Sequence, residues 1–173
     1  MKIPFTKMHG AGNDFLLVDD RETVFPCHDR DWMAAVGARR TGVGCDGFLL
    51  VQDSEKADVA MRFFNPDGSR ADLCGNGARC VVRYAFDHGL AGTHMSVETG
   101  AGVLEASVLG ESTYRIALPS PTHWRLEHVL NWQDGRGPTV HSVNTGVPHT
   151  ILRTDDAALA DLVPLGRTIR WDQ

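Results

Sequence analysis

The chain has 173 residues and a mass of 18.9 kDa, room for one ordinary domain or for two small ones sharing an interface. Hydrophobic residues at 42% and charged residues at 23% exclude a disordered chain. No run approaches a membrane span and the amino end lacks the apolar core of a secretory signal, so a cytosolic protein is expected; 17 basic against 22 acidic residues, with no Lys/Arg block, argue for a small polar ligand and against nucleic acid.

The opening residues predict a hairpin. A strand around Phe5 to Met8 leads into a polar turn, Gly10 to Asp14, and an apolar strand, Phe15 to Val18. An amphipathic helix is expected from Asp29 to Arg40: it has a polar start, an apolar stripe of Trp32, Met33 and Val36, closing arginines, and Gly42 just beyond. A strand from Phe48 to Gln52 follows, then a second from Asp58 to Asn65 that runs into the turn Asn65-Pro66-Asp67-Gly68. The spacing of Ala78, Val81, Val82, Ala85 and Phe86 marks a helix that starts at Cys74-Gly75-Asn76-Gly77 and stops at His88-Gly89. Three β-rich stretches, His94 to Thr99, Val103 to Leu109 and Tyr114 to Leu118, read as a meander. Pro119, Ser120, Pro121 and Thr122 break that pattern and mark the domain boundary, giving units 1–118 and 119–173. The second unit offers strands near Val140 to Val143 and His149 to Leu152, and a helix from about Asp156.

Four cysteines are too few for a disulfide scaffold, and without a CxxC pair no zinc or other metal site is expected. Gly42 to Gly47 reads GVGCDG, a literal GxGxxG. A dinucleotide fingerprint needs a strand before it and a helix after it; here the order is reversed, so the segment is expected to be a helix-to-strand turn. Cys74 stands out because it precedes a helix, where unpaired amides favour a thiolate and can draw a thiol pKa from about 8.5 towards neutrality. The glycines at 75 and 77 let a ligand approach that backbone, and a carboxylate would use the same amides. Cys27, Cys45 and Cys80 are expected to be structural. Asn13 and Asn65 offer amide donors and acceptors beside strands, although asparagine also serves turns for their own sake. His149 could titrate near neutrality, but spacing alone does not single it out among the eight histidines.

Four segments together, HGAGNDF (9–15), GVGCDG (42–47), FNPDGSRADLCGNGARC (64–80) and NTGVPH (144–149), resemble diaminopimelate epimerase in wording, order and spacing. The resemblance runs along essentially the whole chain. It implies an α+β fold of two pseudo-symmetric halves, each a mixed, mostly antiparallel sheet wrapped around a central helix. It also implies a cofactor-independent isomerase that interconverts LL- and meso-diaminopimelate for lysine and cell-wall precursor synthesis, and it suggests a homodimer. By the same resemblance Cys74 is a catalytic cysteine, His149 tunes the thiols, and Asn13, Asn65, Gly75 and Asn76 contact the amino acid substrate. Val147 stands where many members carry Asn, and Gly47 where some carry Gln, so contacts at those two positions are not carried over. A second CGxG segment is absent from the sequence. The expectation is therefore of one complete half and the start of another, with the isolated chain catalytically crippled. The rival readings are a related amino acid racemase, a cysteine hydrolase, and a non-catalytic half-domain.

Overall fold

A hairpin begins the chain: β1 (Thr6–Gly10) pairs antiparallel with β2 (Asn13–Asp19), placing Gly10 opposite Asn13. Only Ala11 and Gly12 form the turn, and both have positive φ, 54° and 85°, as a two-residue hairpin with right-handed strand twist requires. Asn13 and Asp14, expected in the turn, are thus the first residues of β2. These details come from a computed structural model that describes residues 2–132, 135–158 and 160–171.

The chain divides into two compact units, Met1–Pro119 and Ser120–Gln173. In the first, α1 (Arg30–Gly37) is capped by Asp29, whose Oδ1 accepts the Trp32 N–H at 2.9 Å. The helix ends earlier than its closing arginines, Arg39 and Arg40, predict, because Ala38 turns extended and the chain folds back over the helix end. Gly44 and Cys45 donate to the carbonyls of Val36 and Gly37. A Cβ on Gly42 would meet the Ala35 carbonyl oxygen at 2.1 Å, so this return is open only to glycine. The GVGCDG segment is accordingly a helix-to-strand turn, with α1 before it and β3 (Gly47–Gln52) after it.

β3 lies parallel to β2 and antiparallel to β4 (Val59–Phe64), which also carries the two-residue β5 (Arg70–Ala71). The Phe-Leu-Leu-Val runs of β2 and β3 are buried throughout, as strands covered on both faces must be. Leu16, Val18, Phe48 and Leu50 pack with Phe25 and Met33 on one face. On the other, Leu49 meets α2 (Gly75–Asp87) at Gly77, where a Cβ would lie 2.7 Å from Leu49 Cδ2.

The sheet continues through β6 (His94–Thr99), parallel to β4, then β7 (Gly102–Gly110) and β8 (Thr113–Ile116), giving the order β1-β2-β3-β4-β6-β7-β8. α2 touches all seven of those strands, so the sheet curls around this one helix. That enclosure explains why Gly77, Ala78, Cys80, Val81, Val82, Tyr84 and Ala85 are all buried, more of the helix circumference than a surface helix hides. The helix stops where expected: Gly89 has φ 66°, and the N–H groups of Gly89 and Leu90 return to the carbonyls of Phe86 and Ala85.

The second unit is a three-stranded antiparallel sheet, order β11-β10-β9, from β9 (Thr122–Trp132), β10 (Gly135–Asn144) and β11 (Pro148–Ile151). α3 (Leu162–Arg170) follows, beginning later than expected from sequence; Pro164 sits in its first turn, where a missing N–H costs nothing. Among the described residues no helix is long and apolar enough to cross a membrane.

Candidate active site

Cys74 is the N-cap of α2, with extended backbone (φ −138°, ψ 109°) and a half-buried side chain. Its Sγ accepts the Gly77 N–H at 3.4 Å, and its carbonyl accepts the Ala78 N–H at 2.8 Å. The first two amides, of Gly75 and Asn76, lie before the helix's own hydrogen-bond ladder starts and remain as donors for an anion. Space for one exists: a Cβ on Gly75 would touch only Leu118 Cδ2, at 3.8 Å. Gly77 has the opposite role, since its missing Cβ lets the first turn press onto Leu49.

Asn13 closes on this helix start from β2. The Cys74 thiol lies 3.7 Å from Asn13 Oδ1 and donates to it, while Asn76 Nδ2 donates to the same oxygen at 3.4 Å. The approach is possible because Gly10, opposite Asn13, rests its Cα on the first turn; a Cβ there would lie 2.7 Å from the Asn76 carbonyl oxygen.

Behind Asn13 is a charged cluster that sequence reasoning missed. Asn13 Nδ2 donates to Asp46 Oδ2 at 2.8 Å, and the Asp14 N–H donates to the same oxygen at 3.1 Å. Arg39 bridges the carboxylates of Asp14 and Asp46, and Lys7 pairs with Asp14 at 2.6 Å. The Arg39 guanidinium, followed by the Lys7 ammonium, holds the Asp14 carboxyl well below the usual carboxylate range. Arg39 was expected to close α1; the early end of that helix frees it for this bridge. The one available signal was an acidic residue, Asp46, inside a glycine-rich turn between a helix and a strand.

Of the expected site residues, the structure brings Asn13, Cys74, Gly75 and Asn76 together. Asn65 follows β4 and holds its own turn: its N–H reaches the Ser69 carbonyl at 2.8 Å and its Nδ2 the Ser69 hydroxyl at 3.0 Å. Among the described residues no hydrogen bond joins it to the cluster. His149 belongs to the second unit, exposed on β11 opposite Val143. Gly47 has a packing role, because a Cβ would meet Phe63 Cε2 at 2.5 Å and the Phe64 carbonyl oxygen at 2.7 Å.

The other cysteines separate cleanly from Cys74. Burial pushes the Cys80 thiol up to about 11 and raises that of Cys45, which leaves both as protonated packing groups. Cys27 is exposed rather than buried, unlike the structural residue expected. A cleft of about 690 Å³ also opens along α2, lined in part by Lys7, His9, Arg79, Arg83 and Tyr114, but its lining includes neither Cys74 nor Asn13. Among the described residues no three or more His, Cys, Asp or Glu side chains are grouped to hold a metal ion.

Comparison with known proteins points one way. The family model described as diaminopimelate epimerase matches residues 5–120. The diaminopimelate epimerase of Archaeoglobus fulgidus is 43% identical, aligned with 100% of this chain and 66% of its own length. That of Methanocella arvoryzae is 38% identical (99% and 65%), and that of Aquifex aeolicus 36% (98% and 63%). The chain therefore spans just under two thirds of these relatives. Among solved structures, a probable proline racemase from Agrobacterium radiobacter aligns with a TM-score of 0.75 at 16% identity, covering 97% of this chain and 58% of that one. A hydroxyproline epimerase from Agrobacterium vitis aligns with a TM-score of 0.69 at 14% identity, covering 90% and 53%. At such identities the likeness speaks for the fold, α+β with a curled, mostly antiparallel sheet. The family model covers the segment that holds the entire Asn13–Cys74–Asn76 cluster, and the curated relatives extend the match along the rest: the chain belongs to the diaminopimelate epimerase family.

Proposed function

We propose that this chain carries one acid/base half of a cofactor-independent diaminopimelate epimerase, interconverting LL- and meso-diaminopimelate in the cytoplasm for lysine and peptidoglycan precursor synthesis. The observation that carries the reading is Cys74, a half-buried thiol at the N-cap of an enclosed helix with two free amides and open space above Gly75.

The chemistry follows from that geometry. The α-carboxylate of the amino acid sits on the amides of Gly75 and Asn76, where the helix dipole favours negative charge. Removing the α-proton delocalises charge onto that carboxylate, so the same donors stabilise the carbanion more than the substrate. Cys74 takes the proton as thiolate, or delivers one as thiol. Inversion needs a second acid/base group on the opposite face, since a single base returns the proton to the side it left. Asn13 and Asn65 are assigned to the remaining polar groups of the substrate and His149 to tuning the thiols, with residues 1–118 as the first half-domain and 119–173 as the incomplete start of the second; these assignments rest on the family motifs. The same motifs support a homodimer, which analytical ultracentrifugation tests.

The deciding experiment incubates diaminopimelate in ²H₂O and follows loss of the α-proton signal and change of configuration. It compares the 173-residue chain with the chain fused to the part of the Archaeoglobus relative that it does not cover. Inversion is expected from the fusion and only slow exchange from the chain. Cys74→Ala is expected to lower inversion by the fusion at least 10²-fold. Undiminished inversion in that variant removes Cys74 from the mechanism. A panel including proline and glutamate separates diaminopimelate from other amino acids.

A further inference from the structure

The hydrogen bonds around Cys74 form a chain whose direction is fixed at both ends. Arg79 Nη2 donates to Asn76 Oδ1, and a guanidinium has only donors, so Asn76 must turn its oxygen to Arg79 and its NH₂ to Asn13. At the other end Asp46 Oδ2 only accepts, so Asn13 must turn its NH₂ to Asp46 and its oxygen outward. The two constraints agree. They leave Asn13 Oδ1 facing both Asn76 Nδ2 at 3.4 Å and Cys74 Sγ at 3.7 Å. Asp46 is in turn held by Arg39 and by the Asp14 N–H.

We propose that Asp46 is a positioning residue, outside contact with the substrate, that acts through Asn13 to fix which end of an amide meets the Cys74 thiol. This rests on the reading of Cys74 as the functional thiol. Two opposed contacts then surround the sulfur: the Asn13 oxygen accepts S–H and favours the proton-bearing form, whereas the Gly77 N–H favours the thiolate. A residue that must be base in one direction and acid in the other is served by such a balance. With Asp46 changed to an amide, Asn13 loses the acceptor that fixes it at 2.8 Å and is held only by the 3.4 Å contact from Asn76 Nδ2; giving up that longer contact lets it turn over and offer its NH₂ to the sulfur, tipping the balance towards thiolate. The other charged and titratable groups nearby are Lys7 on β1, Asp14 on β2, Arg39 after α1, Asp72 before Cys74, and Arg79 and Cys80 on α2. Removing the Asp46 charge would also favour thiolate through space, so the test must separate the two causes.

The experiment is a double-mutant cycle on the 173-residue chain, requiring no turnover. Iodoacetamide alkylation of Cys74 is followed by peptide mass spectrometry between about pH 6 and pH 10, and the pH of half-maximal rate is read. Asp46→Asn is expected to lower that midpoint by roughly one pH unit. In an Asn13→Ala background the same change is expected to shift it by less than about 0.3 unit, because only the through-space effect of the lost charge remains. An equal shift in both backgrounds, or none in either, overturns the proposal. Should Asp46→Asn not fold, Asp46→Ser takes its place, since a hydroxyl also leaves the direction of the amide open. The midpoints remain informative even if the chain proves not to act on diaminopimelate, so failure of this inference and failure of the function are read separately.

Discussion

The two units put similar amounts of β-structure to different uses. In the first, seven strands share one helix, and side chains such as Phe15, Phe48, Leu49, Met61 and Val81 are at most 1% exposed. In the second, three strands bury Leu130, Val140 and Val143, α3 buries none of its described residues, and Trp124, Leu126, Leu162, Val163 and Trp171 lie open to solvent. A sheet that curls gives one helix several walls and covers most of its apolar residues, Phe86 excepted; a three-stranded sheet offers one wall per face. Cys74 is placed by the unit with the stronger core, so its geometry inherits the rigidity of that core.

The largest test of this comparison is truncation in the first core against truncation on the second sheet. Phe48→Ala is expected to cost about 3–5 kcal/mol and to strip protection from β2, β3 and α2 in peptide-resolved hydrogen exchange. Trp124→Ala, at a residue 62% exposed, should change stability by less than about 0.5 kcal/mol. Comparable losses from the two changes would dissolve the contrast. Intrinsic fluorescence is a poor substitute, because Trp32 is the lone tryptophan of the first unit against three in the second.

Gly10→Ala sharpens the link between core and site. The new Cβ would face the Asn76 carbonyl oxygen at 2.7 Å, and backbone cannot swing aside as a side chain can. A loss of about 2 kcal/mol is expected in urea unfolding, together with altered alkylation of Cys74. Tolerance within about 0.5 kcal/mol would show that β1 does not brace the start of α2.

The smallest effect concerns acid. Because Arg39 and Lys7 lower the folded-state pKa of Asp14, its contribution is fully present above the unfolded carboxylate value of about 3.9 and is lost as pH falls through the folded value. The first unit should therefore weaken on acidification below about pH 4, and Asp14→Asn should flatten that decline while costing roughly 1–3 °C in melting temperature at neutral pH, a modest figure because Arg39 is solvent-facing. An unchanged acid slope in Asp14→Asn would assign the decline to other carboxylates.

Local signals were legible where the chain answers to itself. The start and stop of α2 follow from Cys74-Gly75-Asn76-Gly77 and His88-Gly89, and the meander of β6 to β8 follows from alternation broken by glycine turns. The expected end of α1 at Arg40 was wrong because the backbone turns extended at Ala38, which leaves Arg39 to bridge Asp14 and Asp46, 25 and 7 residues away. The turn at Asn65 was legible in the same way as the ends of α2, its amide holding Ser69, four residues on.

The sequence by itself determined the family, the central helix, and the place of Cys74 at the start of that helix, because these depend on motif wording and on interactions within a few residues. Only the tertiary structure decided that β2 runs parallel to β3 and β4 parallel to β6, that Gly10 and Gly77 are the contact points of the helix start, and that Asp46 accepts from Asn13. Each of these joins residues about 30 or more positions apart, and the energy that fixes such pairings is gained only when the sheet closes around the helix.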